Sequence, residues 1–361
     1  MLYLPVESAY DFIQKVFIKL GVPSDDAKTC ADVLIASDLK GIESHGIGRL
    51  KMYYDRIKLG VQNPVTKIDV IRDKASVTVL DGNHGMGHVI GVKAMQTAID
   101  KASKYGLGAV AVRNSTHYGI CGHYADMAVK KDMIGMTFTN ARPSVCPTNG
   151  VFPILGTNPI CFGAPTNLPY PFIYDAATSI TQRGKIEVLD REEKDTPLGW
   201  AIDLENNAYT DTKSLLVDLV KMKASLLPIG GSEEITGGHK GYGLSLMVEI
   251  LSAALQNGSY LMDLHGTDEK GKPAPYKLGH FFLAMNIDFF TEVSDFKNTV
   301  TDILQSIQSS QKAPGKDRIY VAGEKEYYSE ILVRKLGIPL IPNLQKDLSI
   351  MQNELGISLE Y

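Results

Sequence analysis

Cysteine is scarce in this chain: four residues in 361, at positions 30, 121, 146 and 161, with no C-x-x-C pair among them. That spacing excludes a disulfide scaffold and paired zinc thiolates, and it points to reduced thiols in a cytosolic protein. Neither sign of charge dominates. With 37 Lys and Arg against 41 Asp and Glu, the formal net charge is −4, so nothing attracts nucleic acid or an anionic membrane surface. No apolar run approaches the ~20 residues of a membrane helix. Met1-Leu2-Tyr3-Leu4-Pro5 has no basic start and no sustained apolar stretch, which argues against a secretory signal. Repeats and low-complexity tracts are also missing. The expectation is a cytoplasmic protein without nucleic-acid or membrane partners. What is present, 44% hydrophobic and 22% charged residues, is ordinary globular composition in a length sufficient for two domains.

The first sixty residues read as helices. Ala9, Phe12, Ile13, Val16 and Leu20 share one helical face. Gly21 stops that helix, and Ser24 is placed to cap the next, ahead of Asp25 and Asp26. The second helix presents Cys30, Ala31, Leu34 and Ile35 and ends at Gly41. Two short strands follow, Lys67–Arg72 and Ala75–Leu80, and the pattern then turns α/β. Helices are predicted near 92–105 and 122–131, strands at 108–113, 134–139, 172–175 and 280–287. Residues 187–235 read as polar and loop-rich, with a hairpin around Asn206-Asn207. The clearest helix spans 243–255, with Leu244, Met247, Ile250, Leu251 and Ala254 on one face. Helices near 295–309 and 324–336 close the chain.

Chemistry concentrates in a few stretches. Glu43-Ser44-His45-Gly46-Ile47-Gly48-Arg49 sets a proton carrier four residues before an arginine fork that matches a carboxylate. A helix opening here would put both on one face; the plain alternative is a helix start with a hydrogen-bonded histidine. Asn114-Ser115-Thr116-His117-Tyr118-Gly119 follows an apolar strand, where ligands sit in α/β sheets, although His117 could equally cap the next helix. Gly85-Met86-Gly87-His88-Val89-Ile90-Gly91 suggests a Rossmann loop, but the spacing is wrong and no strand ends in an acid about twenty residues on. His84, His88, His117 and His123 leave open a metal-dependent hydrolase. Gly237-Gly238-His239-Lys240-Gly241-Tyr242-Gly243, before the strong helix, is either an anion site or a flexible loop. As an anion site alone it would describe a phosphate- or nucleotide-binding module. Asp175-Ala176-Ala177-Thr178-Ser179 puts a carboxylate at a strand end, suited to a ribose, a histidine or a helix cap.

Together, Ser44-His45-Gly46 with Arg49, Asn114-x-x-His117-x-Gly119, Gly156-Thr157-Asn158-Pro159, Asp175-x-Ala177-Thr178-Ser179, Gly238-His239-Lys240-Gly241-Tyr242-Gly243 and Gly323-Glu324 resemble the type-2 malate/L-lactate dehydrogenase family. Its relatives include ureidoglycolate dehydrogenase, sulfolactate dehydrogenase and diketogulonate reductase, and the resemblance is nearest to the malate dehydrogenase branch. It implies an α/β (α+β) fold that is not Rossmann: a mixed or antiparallel sheet flanked by helices, 75–289, beside a helical domain from both chain ends, 1–74 with about 290–361. It also implies a homodimer, and reversible hydride transfer between NAD or NADP and a small 2-hydroxy acid such as malate or L-lactate, or a sulfolactate- or ureidoglycolate-type acid. No metal is implied. Carried onto this sequence, His45 and His117 are the candidate proton carriers and Ser44 and Arg49 hold substrate. Asn140, Ala141, Asp175, Ala176, Ala177, Lys240, Gly241, Gly323 and Glu324 would lie against the cofactor. Pro147-Thr148-Asn149-Gly150 departs from the Pro-x-Gly-Gly of many relatives.

Overall fold

The computed structural model describes residues 2–360. It opens with β1 (Leu2–Leu4), α1 (Val6–Lys19) and α2 (Ser24–Leu39). The expected stripe of α1 is the buried one: Ala9, Phe12, Ile13 and Val16 face inward, joined by Phe17. Gly21 turns the chain at φ +90°, a conformation that side chains resist. Ser24 does not cap α2; it is the first helical residue, preceded by Pro23, and makes no capping bond. Next come α3 (Leu50–Lys58), β2 (Asp69–Lys74), β3 (Val77–Asp81), α4 (Gly87–Tyr105), β4 (Leu107–Ser115), α5 (Cys121–Val129) and β5 (Met133–Thr139). They are followed by β6 (Ile160–Ala164), β7 (Phe172–Ala176), α6 (Arg183–Arg191), β8 (Ala201–Asp203), α7 (Thr212–Val220) and β9 (Ala224–Leu226). The chain closes with α8 (Gly238–Ala253), β10 (Leu278–Asn286), α9 (Val293–Ser309), α10 (Glu324–Leu336), β11 (Ile338–Leu340) and α11 (Pro342–Leu355).

Seven strands form the central sheet in the order β2-β3-β4-β10-β5-β6-β7. β3 and β4 run parallel, with α4 crossing between them, and the other neighbours are antiparallel. This mixed order is not the parallel doubly wound order of a Rossmann fold. Val110, Val112 and Phe282 of the sheet pack with Ile90 and Ala94 of α4 and Tyr124 and Ala125 of α5. A second core joins the chain ends, where Phe12, Phe17, Leu34 and Tyr53 meet Val333, Leu340 and Met351. β1 pairs antiparallel with β11 beside it. α9 packs elsewhere, its Leu304 against Tyr170 and Val321.

Two stretches differ from the sequence reading. The polar segment 187–235 contains most of α6 and all of α7, nine-residue helices too short to show a clear period. The turn at Asn206 is present, with Tyr209 N–H bonded to the Ala201 carbonyl, but β8 takes β9 as its strand partner. α8 is a helix as expected, yet it leaves Leu244, Met247 and Ile250 exposed and turns Ser245, Val248, Glu249 and Ser252 inward. Close approach explains the reversal. A Cβ on Gly279 of β10 would lie 1.6 Å from the Ser252 carbonyl oxygen, so at that crossing α8 and the sheet leave no room for a large side chain.

Candidate active site

The stretch expected to open one helix forms two 3-10 turns, Glu43–His45 and Ile47–Arg49, before α3 begins at Leu50. Asp38 of α2 interrupts it. The buried Asp38 carboxyl accepts the Ile47 N–H at 2.7 Å, and a Cβ on Gly46 would lie 1.8 Å from its Oδ1. Burial pushes this carboxyl up to about 8. His45 and Arg49 therefore do not share a helical face. His45 Nδ1 is 2.9 Å from the Ser44 hydroxyl. Arg49 folds back, its Nε donating to the Ser44 carbonyl at 2.7 Å.

His117 sits just past β4, in a turn held by Asn114 at φ +50° and Gly119 at φ +82°. The glycine run at 85–91 braces this turn. Gly87 N–H donates to the Thr116 hydroxyl at 2.9 Å, and that hydroxyl donates to the Gly85 carbonyl at 2.8 Å. A Cβ on Gly87 would come within 2.5 Å of the His117 carbonyl oxygen, so close packing accounts for the glycine. The His117 ring stacks on His45 with centroids 5.5 Å apart and planes 24° apart. Its Nδ1 lies 2.5 Å from the Tyr53 hydroxyl and also receives the Gly119 N–H at 3.4 Å. A backbone N–H only donates, so Nδ1 is the acceptor nitrogen and Nε2 carries the ring proton. Burial, aided by Arg49, holds His45 down to about 4. Burial first, then the charges of His45, Arg56 and Arg49, hold His117 well below the usual imidazole range. Both shifts favour the neutral ring.

Both rings line a cavity of about 700 Å³, within the roughly 300–1,000 Å³ of small-molecule and cofactor sites. Ser44, Asn140, Ala141, Asp175, Ala176 and Ala177 share its wall. Asn140 is built into that wall, accepting Gly279 N–H at 2.8 Å and donating to the Ser259 carbonyl at 3.3 Å. Ala141 N–H donates to Asn158 Oδ1 at 3.1 Å, and the Asn158 amide donates to Glu249 of α8 at 2.8 Å. Asp175 accepts the Gly122 N–H at 2.7 Å in the first turn of α5, and burial pushes its carboxyl up to about 6. Thr181 belongs to the wall, and its hydroxyl is buried without a protein partner. Arg49 lies in an adjoining cavity of about 110 Å³, which shares Ser44 and Gly184 with the larger one.

The sequence matches the malate/L-lactate dehydrogenase family over residues 4–349. The chain belongs to that family. It is 46% identical over 354 residues to a malate dehydrogenase of Pyrococcus abyssi, covering 98% of this chain and 95% of that one. It is 39% identical over 360 residues to an L-sulfolactate dehydrogenase of Methanocaldococcus jannaschii, covering 99% and 98%. The crystal structure of a malate dehydrogenase from Entamoeba histolytica superposes with a TM-score of 0.97 at 42% identity, covering 100% of this chain and 99% of that one.

Four positions that the family resemblance set against the cofactor do not line the cavity: Lys240, Gly241, Gly323 and Glu324. Lys240 is exposed in the first turn of α8. Gly237 and Gly238 N–H groups, expected to cradle an anion, bond the Glu234 and Glu233 carbonyls. A Cβ on Gly241 would lie 2.1 Å from the carbonyl oxygen of Ile229, itself a wall residue. Gly323, at φ +93°, packs on Pro171 at the entrance to β7, and buried Glu324 contacts Arg318 and accepts from Gln308 at 2.8 Å. Among the described residues no three His, Cys, Asp or Glu side chains group as metal ligands, so His84, His88, His117 and His123 form no such set. Asn149 takes φ +64°, a left-handed turn that asparagine tolerates. Sequence reasoning does not single out Tyr53, Asp38 or Thr181. Tyr53 alone carried a signal: a polar-tipped aromatic one turn beyond Arg49.

Proposed function

We propose that this chain catalyses reversible hydride transfer between a nicotinamide cofactor, NAD or NADP, and C2 of a small 2-hydroxy acid, with malate and oxaloacetate as the principal pair. Family membership supports the reaction class. The observation that carries the reading is two imidazoles stacked in the wall of a cofactor-sized cavity. The cavity volume and its small-residue wall at Ala141, Ala176 and Ala177 fit a nicotinamide cofactor. When bound, the cofactor accepts or returns the hydride. Asn140, Ala141 and the Asp175–Ala177 segment would hold it directly, while Gly241 lets α8 pack closely against the wall residue Ile229.

The two histidines then divide the work. His117, with Nδ1 committed as acceptor, offers Nε2–H to the substrate oxygen. With its Nδ1–H turned to the Ser44 oxygen 2.9 Å away, His45 would have Nε2 free to take the hydroxyl proton during oxidation and return it during reduction. Ser44 and Arg49 flank this pair, and Arg49 would clamp the C1 carboxylate from the adjoining cavity.

We further read the two hydrophobic cores as two domains that share the cavity, and the exposed Leu244, Met247 and Ile250 of α8 as a face covered by a second copy in a homodimer. Four unpaired, buried cysteines suit the cytoplasm, and no helix among the described residues is long and apolar enough to cross a membrane. A panel of 2-keto acids assayed at 340 nm with NADH and NADPH tests the reading. Oxaloacetate reduction is the expected result, and absorbance that stays constant with every acid and both cofactors overturns it.

A further inference from the structure

We propose that Glu249 of α8, which lies outside the cavity, is the positioning residue of the cofactor wall: its two carboxylate oxygens hold the step from Asn140 to Ala141 from both sides and so set cofactor affinity. The inference rests on the reading of Asn140 and Ala141 as cofactor contacts given above.

Glu249 is buried on the inward side of α8. Its Oε2 accepts from the Asn158 side-chain amide at 2.8 Å, and Asn158 Oδ1 in turn accepts the Ala141 N–H at 3.1 Å. Its Oε1 accepts the Leu261 N–H at 2.9 Å. Two residues before Leu261, the Ser259 carbonyl accepts from the Asn140 amide at 3.3 Å. The contacts close a ring that runs from Glu249 through Asn158, Ala141 and Asn140 to segment 259–261 and back. Each wall residue therefore reaches the same carboxylate through a different oxygen. Asn140 is also held by the Gly279 N–H at 2.8 Å, so Ala141 is the residue that depends most on Glu249.

Both groups that Glu249 grips sit in unfavourable backbone conformations. Asn158 takes φ +36° and Leu261 φ +48°, a left-handed region that leucine rarely occupies. Such conformations persist where the surroundings over-determine them, and they gather at functional sites. Asn158 stands between the wall residues Thr157 and Pro159. Its carbonyl receives the Thr178 hydroxyl, next to Ala177, at 3.0 Å. A shift of Asn158 thus moves two parts of the wall at once. Both Glu249 oxygens accept from N–H donors, an arrangement that suits the ionised carboxylate and gives strong, directional bonds. Burial raises this carboxyl, and the donors of Leu261, Asn158 and Asn140 work against the rise.

Glu249→Gln keeps the shape but turns one acceptor into a donor that faces an N–H. It is expected to weaken NADH binding about five- to fiftyfold in a fluorescence titration. At saturating NADH, kcat should change less than about threefold, because His45 and His117 are held by Ser44 and Tyr53 instead. Adding Asn158→Asp exchanges donor and acceptor. The new carboxylate can accept from Ala141 and from the new amide, whose oxygen serves Leu261, so most of the NADH affinity should return. Asn158→Asp alone sets two carboxylates against each other and should bind NADH worse than wild type. Glu249→Gln that binds NADH within about twofold of wild type overturns the proposal. So does a joint loss of affinity, kcat and thermal midpoint that the exchanged pair leaves unrestored, which assigns Glu249 to the fold alone. Where Glu249→Gln does not fold, the exchanged pair decides: NADH affinity within about threefold of wild type supports the ring, and weak binding or failure to fold overturns it. Wild type that binds neither NADH nor NADPH removes the cofactor reading and this inference with it, whereas equal binding by wild type and Glu249→Gln removes this inference alone.

Discussion

The Tyr53 hydroxyl meets Nδ1 of His117 at 2.5 Å, from a helix in the chain-end core to the turn that follows β4 of the central sheet. Burial holds the Tyr53 phenol far above its usual range, so it keeps its proton and donates. The bond fixes which histidine nitrogen faces the cavity. Tyr53→Phe keeps the packing and removes the bond, and is expected to lower kcat about three- to tenfold, with cofactor affinity unchanged. Steady-state kinetics with an NADH titration reads this; an undiminished kcat would make Tyr53 packing alone.

His45→Ala is expected to lower turnover by ~10²–10⁴, with NADH still bound. If the stacked rings work as one unit, adding His117→Ala should cost little more, because residues that act together are strongly non-additive. Reduction also consumes a proton. With His45 held near 4, its charged form becomes commoner as pH falls, so keto-acid reduction should rise from pH 8 toward pH 5. A reduction rate indifferent to pH removes His45 as the donor.

Elements that bury their own stripe were legible from sequence. α1 and β4 follow local periods that a single segment displays. The His45–Arg49 geometry was not legible, because the interruption comes from Asp38 on another helix, through a bond to Ile47 that no local pattern reveals. α8 misled for a related reason. Its most apolar stripe is not its sheet-facing one, since the sheet approaches too closely at Gly279 for large side chains. The residues of the cavity wall were legible as motifs, but the partners that aim them, Tyr53 for His117 and Asn158 for Ala141, lie 64 and 17 residues away.

Acid should destabilise the fold. Burial holds His88 and His280 near 3, His45 and His123 near 4, and His117 low as well, whereas in an unfolded chain each titrates near ~6.5. Below that pH the unfolded state binds protons that the folded state refuses, so stability present in full above ~6.5 is lost as pH falls toward 4. Asp38, raised to about 8, and Asp175, raised to about 6, act in the opposite sense, as do Asp26, Glu249 and Asp347, but His84 and His265 are held down as well, which makes seven histidines against five carboxyls. The thermal midpoint should therefore peak near pH 6.5–7 and fall toward pH 4.5. His88, whose two ring nitrogens are buried without partners, is the cleanest test. Calorimetry on His88→Phe should show neutral-pH stability retained and a shallower acid limb, and a limb of unchanged slope would clear this histidine of the effect.

Gly46 and Asp38 set the turn that separates His45 from Arg49. A methyl at position 46 meets the Asp38 carboxyl at 1.8 Å, and overpacking of this kind costs about 1–3 kcal/mol. Gly46→Ala should lower both the thermal midpoint and kcat, the latter at least about tenfold because misplacement near the reacting groups is costly. Adding Asp38→Ala relieves the clash and should recover much of the midpoint. It should not recover kcat, because the Ile47 N–H then has no acceptor. Asp38→Asn on its own keeps an oxygen for that N–H and should hold both quantities close to wild type. Recovery of kcat in the double variant would show that the turn keeps its shape without the Asp38 tether, and that the spacing of His45 and Arg49 is set by α3 alone.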